Sequence, residues 1–155
     1  MFGARSFLYG LTAATAAVTL AAWPLAASAA GKPIKIGAFV SATGPGSFLG
    51  DPEGKTLKLE VARINHDGGF LGRPLQLVLY DTGSDTKQAV TFVRKLIDDQ
   101  NVDVLIGGSL TGSTMAVIPI VQNAEIPYIS LGGAVEIVEP VKKWVFKTPH
   151  TDRMA

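Results

Sequence analysis

From Lys32 onward, short apolar runs rich in β-branched residues alternate with segments of helical spacing, and this alternation is the strongest constraint on the fold. Residues 33–40 read as a buried strand that opens into a Gly/Pro/Ser turn region. Asp51-Pro52 has the form of an N-cap followed by proline at the first helical position. Leu57, Val61 and Ile64 then recur at i, i+4 and i+7, which predicts a helix over residues 52–65 closed by Asp67-Gly68-Gly69. The unit repeats. Residues 75–80 form a second strand ending at Asp81, and Asp85 caps a helix whose buried face is Ala89, Val93, Leu96 and Ile97. Residues 102–106 give a third strand closed by Gly107-Gly108. A helix over residues 112–123 follows, with Met115, Ile118 and Val121 on one side. Residues 127–130 and 144–147 supply a fourth and a fifth strand.

Strands alternating with helices imply right-handed βαβ crossovers, hence an α/β fold with a parallel sheet and helices on both faces. The strands are continuously apolar, which fits burial on both sides. Ligands of such sheets sit beyond the carboxyl ends of the strands. The loops there span residues 41–50, 82–84, 107–112 and 131–134, and all four are rich in Gly, Ser or Thr. Each loop taken singly needs such residues merely to turn; together they outline a cleft in which backbone and hydroxyl groups approach a small polar ligand.

The first thirty residues read as targeting. Arg5 is the only charge before Lys32, residues 7–20 form an apolar, Ala-rich run, Pro24 breaks it, and Ala27-Ser28-Ala29 supplies the small-x-small pattern of signal peptidase. An uncleaved anchor is the competing reading, but Ala and Thr make a poor membrane span. Cleavage after Ala29 or Ala30 and export to the periplasm are expected. The absence of Cys removes a lipoprotein anchor and, with it, disulfides, thiol catalysis and thiolate metal sites. The 14 basic and 13 acidic residues leave a net charge of +1, which gives no field for nucleic acid.

Several motifs come close to a catalytic signature and miss. Gly50-Asp51-Pro52-Glu53-Gly54-Lys55-Thr56 is one residue short of a phosphate loop, and Pro52 lacks the N–H that a phosphate nest requires. The glycines at 44, 46 and 50 have one residue too many for a dinucleotide fingerprint. Gly107-Gly108-Ser109-Leu110-Thr111 ends in Thr where a nucleophile elbow needs Gly. His66 and His150 are the only histidines, so a His-rich metal site is not expected, and the failed glycine spacings leave no cofactor expected. No catalytic constellation emerges.

The same loops carry a family resemblance. Ile36-Gly37, Thr43-Gly44-Pro45 and Gly50-Asp51 resemble the opening of type I periplasmic binding proteins, in particular the leucine/branched-chain amino acid-binding group of ABC importers. Asn65 to Pro74, with Gly68-Gly69 and Gly72-Arg73-Pro74, is similar to that group's "INxxGGxxGRPL" turn. Asp81 with Asp85-Thr86-Lys87-Gln88-Ala89 resembles its "D…DPxQA" stretch, and Val104-Leu105-Ile106-Gly107 and Ile126-Pro127-Tyr128-Ile129-Ser130 follow in order and spacing. The resemblance covers residues 33–152.

It implies two α/β lobes closing on a small-molecule solute, an amino acid or other small carboxylate, that is delivered to an ABC permease. Carried over by motif, the first lobe's contacts fall at Leu49, at Leu110 and Thr111, and at Gly132, Gly133 and Ala134. Amino-acid binders of the group often carry a hydroxyl residue where Ala134 stands, and an aromatic or polar one near Leu49. One lost hydroxyl donor costs about 1.5–3 kcal/mol against a carboxylate, which leaves aromatic carboxylates and other small organic solutes open. The expected organisation is a signal peptide at 1–30, a first lobe at 31–147 and the start of a hinge crossover at 148–155, with the second lobe missing. A Rossmann-like nucleotide-dependent enzyme and a ligand-sensing receptor domain of the same fold are the alternatives.

Overall fold

The computed structural model describes residues 31–154, so the expected signal segment lies outside the described residues. Five strands, β1 (Ile34–Val40), β2 (Leu75–Asp81), β3 (Val104–Gly107), β4 (Tyr128–Ser130) and β5 (Val145–Lys147), form one sheet in the order β2-β1-β3-β4-β5. All four pairings are parallel. Three helices connect them: α1 (Ser47–His66), α2 (Thr86–Asp98) and α3 (Thr111–Ala124). Right-handed crossovers place α1 on one face and α2 with α3 on the other.

The main core lies between the sheet and the α2/α3 pair. Phe39, Leu105, Tyr128 and Val145 are consecutive register neighbours or one step removed, and they meet Ala89, Val93 and Leu96 of α2 and Val117, Ile118 and Val121 of α3. The cap expected at Asp85 is present: its carboxylate accepts from Lys87 N at 2.6 Å and Gln88 N at 3.0 Å. On the other face α1 packs over β1 and β2, with Gly54 against Val40 and Leu79. Ile106, Ile129 and Phe146 share that face by register with Ala38, but lie beyond α1; Ile106 and Ile129 are half-buried and Phe146 is exposed.

Two expectations need correction. Helix α1 begins at Ser47, not at Pro52, and Asp51 is not its cap; Gly46 stands at the N-cap and Pro52 sits inside the helix. A turn donates Ser47 N to Gly44 O, and the helical bonds of Leu49 and Gly50 then start from Gly46 O. Pro52 is exposed, so its ring projects to solvent. In α3 the buried seam runs through Ser113, Thr114, Val117, Ile118 and Val121, and Met115 lies outside it. Two polar residues occupy seam positions that hydrophobicity alone gives to Met115.

Candidate functional site

The strand order reverses between β1 and β3: the chain leaves β1 toward β2 and leaves β3 toward β4. That switch point opens a crevice at the carboxyl ends of the two strands. Its floor is a set of buried hydroxyls. Ser41, just after β1, donates its N–H to Ser109 Oγ just after β3 at 3.0 Å, and Ser41 Oγ lies 3.3 Å from Thr82 Oγ1 at the end of β2. Gly107 allows the close approach, since a β-carbon there would meet the Phe39 main chain and its φ of 146° suits glycine.

Above this floor the first turns of α1 wall one side. Phe48, Leu49, Pro52, Glu53, Thr56 and Leu57 line an open groove of about 400 Å³, closed opposite by Leu131 of the loop after β4. The lining is apolar except for Thr56 and Glu53. Glu53 is half-buried and accepts from Ser109 Oγ at 2.5 Å. Desolvation pushes its carboxyl above the ordinary glutamate range, against the Ser109 bond that lowers it.

Helix α3 starts at the far edge of the crevice. Leu110 is its N-cap and offers no side-chain cap, so the first-turn N–H groups are left for water or a ligand. Thr111 is the first helical residue and exposed. Thr114, one turn on, donates to Gly108 O at 2.8 Å, while the Tyr128 hydroxyl donates to Gly107 O at 3.1 Å. Burial pushes the Tyr128 phenol up to about 12, so it stays protonated and pins the loop after β3 as a hydrogen-bond donor.

Of the six residues singled out from sequence, Leu49 lines the groove; Leu110 and Thr111 open α3 outside its lining, just after Ser109, which bonds Glu53 of the groove wall. The fourth loop is placed differently. Gly132 is buried against Ile137 and Thr114, and its N–H already donates to Ser130 Oγ at 3.1 Å. Ala134 belongs to the core cluster, and the Gly133 carbonyl accepts from Lys147 Nζ. From that loop it is Leu131 that reaches the groove. Glu53, Ser109, Phe48 and Leu131 were not singled out. The helical phase Gly50–Glu53–Gly54 was the one available signal for Glu53, because it puts the carboxylate on the same side as two buried glycines. The phosphate-loop-like residues 50–56 lie within α1, so no phosphate-cradling loop exists there.

The profile described as "Periplasmic binding protein" matches residues 33–155. The Leu/Ile/Val-binding protein homolog 7 of Brucella abortus (strain 2308) is 32% identical over 120 residues, which is 77% of this chain and 30% of that protein. A solved extracellular ligand-binding receptor from Rhodopseudomonas palustris HaA2 superposes with a TM-score of 0.71 at 36% identity, covering 77% of this chain and 32% of the other. The branched-chain amino acid transporter substrate binding protein of Streptococcus pneumoniae, solved with isoleucine, gives a TM-score of 0.74 at 26% identity over 77% of this chain and 34% of that one. The chain thus spans about a third of the length of the relatives it matches.

Proposed function

This chain belongs to the type I periplasmic binding proteins, in the branched-chain amino acid-binding group, and from that membership we propose that it forms the first lobe of a periplasmic solute binder serving an ABC importer. Residues 31–147 make up that lobe and 148–155 begin the crossover to a second one. The solute is a branched-chain amino acid or similar small carboxylate, held between the lobes and handed to a membrane permease. Export follows from the signal segment, removed after Ala29 or Ala30.

One juxtaposition carries the reading: the apolar groove lined by Leu49 and Leu131 is tied, through the Ser109–Glu53 bond, to the segment that opens the uncapped first turn of α3. A helix N-terminus favours a carboxylate through its free N–H groups and its dipole, while the groove accepts a branched aliphatic tail. His66 stands at the opposite end of α1 from the groove. The relatives are binding proteins by name, and the nucleotide-enzyme alternative gains no support from residues 44–56, where the chain is turn and helix.

The test is calorimetric titration of a chain carrying both lobes against L-leucine, L-isoleucine, L-valine and small aromatic carboxylates. Saturable binding of at least one is expected. Binding of none overturns the reading.

A further inference from the structure

Three segments that are remote in sequence meet at one hydroxyl. Ser109 Oγ donates to Glu53 Oε2, and with its proton committed there it presents a lone pair to the Ser41 N–H at 3.0 Å. A serine hydroxyl has one proton and free rotation, so an acceptor on one side decides where its lone pairs point. Ser41 follows β1, Ser109 follows β3, and Glu53 reaches over from α1. The two loops joined in this way are the ones that diverge at the switch point. They lead, respectively, to Leu49 in the groove and to Thr111 at the start of α3.

We propose that Glu53 is a positioning residue of the cleft: by orienting the Ser109 hydroxyl toward the Ser41 N–H, it holds the loops after β1 and β3 at the separation at which Leu49 and Thr111 face one solute. The inference rests on the solute-binding reading for its functional consequence, but its geometric part stands without a ligand. A half-buried carboxylate in a mostly apolar wall carries a desolvation cost, as its raised pKa registers. The Ser109 bond offsets part of that cost, and a charge-assisted bond of this kind is stronger than a neutral one. Asp51 and Lys55 on the same helix pair with each other in solvent, and the Tyr128 phenol is neutral, so no cation competes for Glu53 among these neighbours.

The experiment compares amide hydrogen exchange of Ser41 and solute affinity in the two-lobed protein and in its Glu53→Ala, Glu53→Gln, Ser109→Ala and double Glu53→Ala/Ser109→Ala variants. Glu53→Ala and Ser109→Ala should each speed Ser41 exchange at least tenfold, with the double variant no faster than either, while the Phe39 amide in the core of β1 stays protected. Glu53→Gln keeps an acceptor for Ser109 and should restore Ser41 protection. The affinity for whichever of L-leucine, L-isoleucine or L-valine binds should fall severalfold in Glu53→Ala and recover in Glu53→Gln. Unchanged Ser41 protection in Glu53→Ala, or additive effects in the double variant, overturns the proposal. Glu53-dependent Ser41 exchange in a parent protein that binds no solute supports the positioning geometry and overturns the solute-binding reading instead.

Discussion

Gly50 of α1 rests on the main chain of Ser41, and a β-carbon at position 50 would run into the Ser41 carbonyl. The helix therefore lies against the end of β1 with no side chain between them, which brings the next turn, with Glu53, within reach of Ser109. Gly50→Ala should gain about 0.5–1 kcal/mol of helix propensity. It should lose more through displacement of α1, for a net destabilisation of about 1–3 kcal/mol. Urea denaturation checks the sign; a variant more stable than the parent would show that α1 is free to move away.

This contact also explains what could and could not be read from the sequence. The strands, their order along the chain and the capped start of α2 were legible because each is written locally: apolar runs, turn residues, and Asp85 one and two turns before Ala89 and Val93. The start of α1 was not, because Asp51-Pro52 imitates a helix start while Gly46 and Gly50 act through contacts outside their own segment. For Glu53 the sequence offered only its helical phase with Gly50 and Gly54, because its partner lies 56 residues away. In the fourth loop Gly132 packs under Ile137 and Thr114 and Gly133 against Asp152, contacts made with distant segments, while Leu131 reaches the groove.

Asp81 and Glu53 should pull stability in opposite directions with pH. Slight burial raises the Asp81 carboxyl, but bonds from Gly83 N at 2.9 Å, Thr43 Oγ1 at 2.7 Å and Thr43 N at 3.1 Å outweigh it and hold the group below the ordinary aspartate range. Its contribution is present above the unfolded pKa and is lost as pH falls through the folded one. Glu53 is raised, so its contribution is present below its unfolded pKa and is lost as pH rises through the folded value. Urea midpoints of Asp81→Asn and Glu53→Gln against the parent, followed from pH 7 into acid, read both signs. The deficit of Asp81→Asn should shrink in acid, while the balance should shift toward Glu53→Gln as pH rises. Parallel profiles for the two variants would contradict the assignment.

Thr111 tests the carboxylate end of the cleft. It is the first residue of α3, exposed, beside N–H groups that no side chain caps. In the two-lobed protein Thr111→Val keeps the shape and removes the hydroxyl, and should weaken solute binding by about 1–3 kcal/mol without shifting the unfolding midpoint appreciably. Calorimetry that returns the parent's affinity would take the Thr111 hydroxyl out of the site.

The last prediction follows from the face of the sheet that α1 does not reach. Ile106, Ile129 and Phe146 are direct register partners across β3, β4 and β5, and they continue the row begun by Ala38 beneath α1. Phe146 is 54% exposed, and Val141 at 93% and Phe48 at 73% add apolar surface elsewhere. A polypeptide of residues 31–154 alone would present this row to water, together with a groove walled on one side only. Contiguous apolar surface of that kind drives association, and half-covered solute contacts compete poorly against solvent. Sedimentation of the isolated lobe should therefore show concentration-dependent self-association. Phe146→Lys should reduce it by placing a charge on the edge strand, at the exposed outer end of the row. Solute affinity of the isolated lobe should fall at least a hundredfold below that of the two-lobed protein, about 2.7 kcal/mol by the standard conversion. A strictly monomeric lobe that binds with undiminished affinity would make residues 31–154 the functional unit by themselves and remove the need for a second lobe.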